Sequence, residues 1–153
     1  MSKDTALLVI DVQKGLIEPA YRSTEVLENI NALLGQAHNT QTPVIYIQHD
    51  GPKGDGLEAG TANWQIHPAI APQEGDAVIH KKASDSFHKT ALQRELESRG
   101  IKHLVVVGGQ TEYCVETTCR RATTLGYNVT LVGNAHTTED YDEAVLRGRS
   151  QIS

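Results

Sequence analysis

The sequence predicts a three-layer α/β/α domain around a doubly wound, mostly parallel sheet, Rossmann-like in its alternation of strands and helices. Three observations carry this. Apolar runs of strand length are continuous rather than alternating, as in "TALLVID" and "HLVVVGG", which marks strands buried on both faces. Stretches with helical spacing of apolar residues separate these runs. No internal repeat or low-complexity tract interrupts the pattern, and 153 residues suit a single domain, here residues 1–153.

Taken in order, Thr5 to Asp11 is the first strand. "EVLENINALLGQAH", Glu25 to His38, sets Val26, Ile30, Leu33 and Leu34 on one side of a helix. Thr42 to Gln48 is the second strand, and His49 to Pro68, rich in Gly and Pro without a clear period, is a long ordered loop, the kind of segment that commonly carries function. Asp76 to Lys81 is a short third strand. Thr90 to Gly100 is a helix opened by a Thr-x-x-Gln capping box and stopped by glycine. Ile101 to Gly109 is the fourth strand, the following helix ends at Gly126, and Tyr127 to Asn134 is the fifth strand. The tail from Thr137 reads as one more helix.

Composition narrows the function. With 14 Lys plus Arg against 19 Asp plus Glu, a net charge of −5 and no basic run, a nucleic-acid partner is excluded. The longest apolar stretches are far below the roughly 20 residues that span a bilayer, and no charged-then-apolar leader opens the chain, so no membrane partner and a cytoplasmic location are expected. The two cysteines, Cys114 and Cys119, are expected to be reduced.

In a doubly wound sheet the working crevice lies beyond the carboxyl ends of the strands. Asp11 ends the first strand, Lys81 the third, and Cys114 enters the helix after the fourth. A strand-end Asp also serves turns, a Lys is commonly solvated, and a Cys after a strand packs well; the joint placement at strand ends is what points to chemistry. A helix N-terminus and a neighbouring ammonium both lower a thiol's pKa. The expectation is therefore a Cys114 thiolate, with a carboxylate in reach to take and return its proton.

Three ordered segments, "LLVIDVQKG", "WQIHPAIAPQEGDAVIHKKASDSF" and "GGQTEYCVETTCRRATTLGYNV", resemble the isochorismatase-like cysteine hydrolases, a superfamily that includes nicotinamidase, N-carbamoylsarcosine amidohydrolase and ureidoacrylate hydrolase. The resemblance covers roughly residues 5 to 140 and implies the isochorismatase-like hydrolase fold. It also implies a catalytic triad of Asp11, Lys81 and Cys114, and an acyl-enzyme route to hydrolysis. It further implies a cis peptide joining Gly109 to Gln110, with backbone N–H groups around Gly109, Gln110 and Cys114 forming an oxyanion hole.

Departures from the family sharpen the reading. The Asp-x-His pair that nicotinamidases use for a metal is replaced by "QHDGPKGDG", so no metal and no cofactor are expected. True isochorismatases lack the nucleophilic Cys, and its presence here favours C–N cleavage of an amide or carbamoyl-type small molecule. Asn134 and Ala135 stand where relatives often have Asp-Ala after the fifth strand, with Asn134 still able to cap a helix. The chain is shorter than relatives at its C-terminus. Leu16, Trp64 and Tyr113 are candidate pocket walls, and Phe87 is either wall or core. His49, His67 and His136 are left outside the catalytic set. Exposed sheet edges and family habit suggest a homo-oligomer. The alternatives are a family-like binding or assembly module without catalysis and, more weakly, a nucleotide-binding domain, against which "GGQTEYC" lacks the G-x-G-x-x-G spacing.

Overall fold

The structure, a computed structural model, describes residues 3–18, 23–108 and 114–136, and for the last four of these the backbone alone. Five strands form one sheet: β1 (Thr5–Ile10), β2 (Val44–His49), β3 (Ala77–Lys81), β4 (His103–Gly108) and β5 (Asn128–His136). Their order is β3-β2-β1-β4-β5, and every pairing is parallel. The order reverses between β1 and β4, where a crevice opens at the carboxyl ends. Pro43 explains why β2 begins later than the expected Thr42: it has no N–H to give to a ladder, although its carbonyl still accepts from Leu7 N at 2.9 Å.

Two cores cover the two faces. Leu7 and Val9 of β1 pack with Val44 and Tyr46 against Val26, Ile30, Leu34 and Ala37 of helix α2 (Ser23–Asn39) and Ile17 of the short α1 (Lys14–Ile17). Each Val, Leu or Ile among them contributes about 1.5–3 kcal/mol relative to exposure. Alternate residues Ala6, Leu8 and Ile10 face the other way. They meet Leu92 and Leu96 of α3 (Leu92–Ser98) and Val115 and Ala122 of α4 (Cys114–Thr124). The three expected layers are thus present, α2 on one face of the sheet and α3 and α4 on the other.

Local signals were followed unevenly. Gly100 and Gly126 stop α3 and α4 in left-handed conformations, at φ of 66° and 99°, where a Cβ would be strained. The capping box at Thr90 does not form. The helix starts two residues later with Ala91 at its cap, because the Thr90 hydroxyl donates to Ser86 O at 2.7 Å while accepting from Leu92 N at 3.2 Å. Asn134 lies within β5 rather than capping a helix after it, since that strand runs on to His136. The expected tail helix lies outside the described residues.

Candidate active site

Three strand ends and one helix start converge. Asp11 follows β1 directly, is 1% exposed, and adopts a φ of 55° while its N–H still donates to Ile47 O at 3.0 Å. Asp is among the few residues that visit the left-handed region readily, and a strained backbone of this kind gathers at functional sites. Lys81 closes β3, an edge strand whose side chains alternate between exposed and covered, and it falls on a buried position at 1% exposure. Cys114 opens α4 and is half-buried.

The Lys81 ammonium is the hub. Its Nζ lies 3.1 Å from Asp11 Oδ2, with both side chains essentially inaccessible at 0% and 2%. It donates to Ala83 O at 2.8 Å, sits 3.2 Å from His49 Nδ1, and reaches Cys114 Sγ at 3.6 Å. Asp11 Oδ1 is buried without a hydrogen-bond partner. The structure therefore brings together Asp11, Lys81 and Cys114, the three residues singled out by strand-end placement.

The electrostatics correct one expectation. The Cys114 thiol is not depressed but pushed up to about 11: burial is the largest cause, the Asp11 charge adds to it, and the Lys81 ammonium pulls back. The pull of the ammonium is outweighed by what the same convergence imposes, a thiol half withdrawn from water beside a carboxylate. At neutral pH the group is a thiol facing an acceptor. Such an arrangement can pass the sulfur's proton to Asp11 while Lys81 steadies the charge left behind. Cys119, one turn and more along α4, packs against the core and is pushed up to about 12 by burial and Glu116.

Two participants escaped the sequence reading. His49, set aside as a scattered histidine, is in ladder register with Lys81 and touches its ammonium; burial and the Lys81 charge lower its pKa, against Asp11, Asp55 and Asp50. A polar residue at the end of an apolar strand was the signal available. Gln13, fully buried, donates to His49 O at 3.0 Å and Trp64 O at 2.8 Å and accepts from His49 N at 2.9 Å. It thus pins both ends of the long loop.

The remaining candidates divide. Trp64 is half-buried; its Nε1 donates to Asp50 Oδ1 at 2.7 Å and its ring stacks on His80 at 6.0 Å. Leu16 is half-buried in α1. Phe87 is core rather than wall, 8% exposed, stacked on Tyr127 at 6.0 Å and part of the same core as Val115 and Ala122. His67 caps a 3-10 turn, Pro68–Ile70, accepting from Ala69 N at 3.1 Å. Gly109, Gln110 and Tyr113, the expected cis bond among them, lie outside the described residues, as does the His136 side chain.

Around the end of β2 the polar side chains engage one another. His49 turns its Nδ1 to Lys81, and Asp50 Oδ1 is already engaged by Trp64 and by His80 Nδ1 at 2.9 Å. Among the described residues no group of three or more His, Cys, Asp or Glu side chains could hold a metal ion.

Comparison with known proteins adds a lineage. Residues 5–149 match the family described as the isochorismatase domain. Streptothricin hydrolase of Streptomyces noursei is 34% identical over 142 residues, covering 91% of this chain, which spans 51% of that protein's length. Nicotinamidase 3 of Arabidopsis thaliana is 31% identical, covering 95% of this chain and 80% of its own. A crystal structure of an isochorismatase family protein superposes with a TM-score of 0.84 at 31% identity, covering 98% of this chain and 92% of the other.

Proposed function

The chain belongs to the isochorismatase family, and on that premise we propose that it is a cysteine hydrolase cleaving an amide or carbamoyl-type C–N bond of a small molecule. The observation that carries this reading is the buried Lys81 ammonium standing between Asp11 Oδ2 at 3.1 Å and Cys114 Sγ at 3.6 Å. The name nicotinamidase borne by one relative supports an amide as the bond cut.

In this reading Asp11 removes the proton from Cys114 Sγ as the sulfur attacks the carbonyl carbon. Backbone N–H groups about Gly109, Gln110 and Cys114 receive the developing oxyanion. The C–N bond breaks, the proton held by Asp11 goes to the leaving nitrogen, and a thioester remains. Water then attacks the thioester, giving one proton to Asp11. The C–S bond breaks, the proton returns to sulfur, and a carboxylic acid or carbamic acid departs. Lys81 holds Asp11 in place and offsets the charge on sulfur throughout. No cofactor takes part. Leu16, Trp64 and Tyr113 wall the pocket in this reading. Two free cysteines support a reducing, cytoplasmic setting. Among the described residues β3 and β5 are the sheet edges, which supports a homo-oligomer; a monomer mass in light scattering would count against it.

A panel of carboxamides, ureas and carbamoyl compounds, followed by release of ammonia or acid, tests the proposal. Turnover of at least one class is expected, and Cys114→Ala abolishes it with the circular dichroism spectrum unchanged. Full turnover by that variant rejects the nucleophile, and binding without turnover by the native chain favours the non-catalytic module.

A further inference from the structure

Lys81 carries three N–H donors and no acceptor, yet four acceptors surround its Nζ: Ala83 O at 2.8 Å, Asp11 Oδ2 at 3.1 Å, His49 Nδ1 at 3.2 Å and Cys114 Sγ at 3.6 Å. The two oxygens are the nearest, and each bears a full or partial negative charge. One N–H remains for an imidazole nitrogen and a sulfur. We propose that His49 is a positioning residue whose Nδ1 competes with the Cys114 sulfur for the third N–H of Lys81, and so draws that N–H off the neighbouring thiol until the thiol gives up its proton. The proposal rests on the reading of Cys114 as nucleophile and deepens it.

The imidazole is built into this place. His49 is the last residue of β2, paired in register with Lys81 at the end of β3. Its backbone is gripped on both sides by the buried Gln13 amide, which accepts from His49 N and donates to His49 O. Gln13 is itself tied to Trp64 O. The ring is thus anchored to the sheet rather than carried on a free loop. Accepting through Nδ1 requires the tautomer with its proton on Nε2. The charged groups that face the ring are Lys81 from β3, Asp11 from the end of β1, and Asp50 and Asp55 from the loop. Burial and Lys81 outweigh the three carboxylates and keep the ring neutral at neutral pH.

The competition has a direction. A thiol sulfur is a weak acceptor and a neutral imidazole nitrogen a good one, so in the resting site the third N–H turns to His49. Once Asp11 takes the thiol proton, the sulfur carries a full charge and becomes the stronger acceptor. The ammonium N–H, its hydrogen staying on Nζ, then turns from Nδ1 to Sγ. His49 in this way keeps the sulfur protonated at rest without blocking its later stabilisation.

Alkylation of Cys114 by iodoacetamide, followed by mass spectrometry on the full chain between pH 6 and 10, reads this without a substrate. His49→Leu keeps bulk and dryness but removes the acceptor. It should label Cys114 about tenfold faster at pH 8, the change that one pKa unit makes to the thiolate fraction. His49→Asn, whose amide oxygen can occupy the Nδ1 position, should label at the native rate. Labelling of His49→Leu at or below the native rate, with Lys81→Ala still slowing it, overturns the competition alone. Equal rates in every variant, Lys81→Ala included, overturn both the competition and the service of Lys81 to the thiol. On the native chain, 15N NMR at pH 7.5 should show Nδ1 of His49 unprotonated. A proton on Nδ1 overturns the proposal whether or not either variant folds.

Discussion

Lys81 and Lys82 are neighbours at the end of β3 with opposite surroundings. The first is 1% exposed with its Nζ 3.1 Å from Asp11 Oδ2, while the second is exposed. Successive strand side chains point to opposite faces, so one residue of sequence separates an ammonium embedded in the site from one in water. The reactivity of Cys114 should follow the first and ignore the second.

Lys81→Ala should therefore slow alkylation of Cys114, since the ammonium is what pulls the thiol down from a still higher value, and Lys82→Ala should leave the rate alone. Removing one partner of a buried ion pair also costs stability, about 3–5 kcal/mol, so circular dichroism accompanies the assay. In the native chain the rate should climb through pH 8, 9 and 10, because the thiol is held up to about 11 and its thiolate fraction grows about tenfold per pH unit below that. Cys119, held at about 12, should lag. A plateau below pH 9, or a larger effect from Lys82, would contradict the assignment.

Asp11→Asn should separate labelling from turnover. The Asp11 carboxylate holds the thiol proton in place, so its loss should quicken alkylation. Under the proposed mechanism the same substitution removes the base, and it should lower kcat by about 10²- to 10⁴-fold. Parallel changes in the two measurements would show that Asp11 is not the proton acceptor.

Chelators should leave activity unchanged. The polar residues at and just after the end of β2 engage one another, His49 with Lys81 and Asp50 with Trp64 and His80, and among the described residues no three His, Cys, Asp or Glu side chains gather to hold a metal ion. Activity lost in a chelator and restored by zinc or iron would reverse this reading.

Gly108→Ala should destabilise the fold by about 1–3 kcal/mol, seen as a lower Tm. A Cβ there would lie 2.7 Å from Ile10 O and 2.9 Å from Val115 Cγ2, and Ile10 O belongs to the neighbouring strand. An unchanged Tm would mean that β1, β4 and α4 approach less closely than described.

How much of this was legible depends on the range of the interaction. Continuous apolar runs gave β1, β2 and β4, the stripe of Val26, Ile30 and Leu34 gave α2, and glycines marked where α3 and α4 stop; all are local signals. The rule that crevices open at strand ends drew attention to Asp11, Lys81 and Cys114, and the family resemblance supplied their expected roles. Neither could give the thiol's environment, because burial and the nearness of Asp11 arise only when β1, β3 and α4 are assembled. His49 and Gln13 were missed for a related reason. The register of β2 on β3 and the clamp across the loop join residues far apart in sequence, and nothing near either residue encodes its partner.

The Gln13 clamp has a consequence for how such a chain can diverge. Both ends of the long loop, at His49 and at Trp64, are tied to one buried amide. The stretch between them makes its own internal bonds, such as Gly51 N to Leu57 O at 2.9 Å and Leu57 N to Asp55 Oδ1 at 2.8 Å. Since the closure cost of a loop rises only slowly with its length, that stretch is an exchangeable cassette. It can be lengthened, shortened or rewritten while Asp11, Lys81 and Cys114 keep their spacing, which under the proposed function leaves selectivity free to drift over an unchanged chemistry.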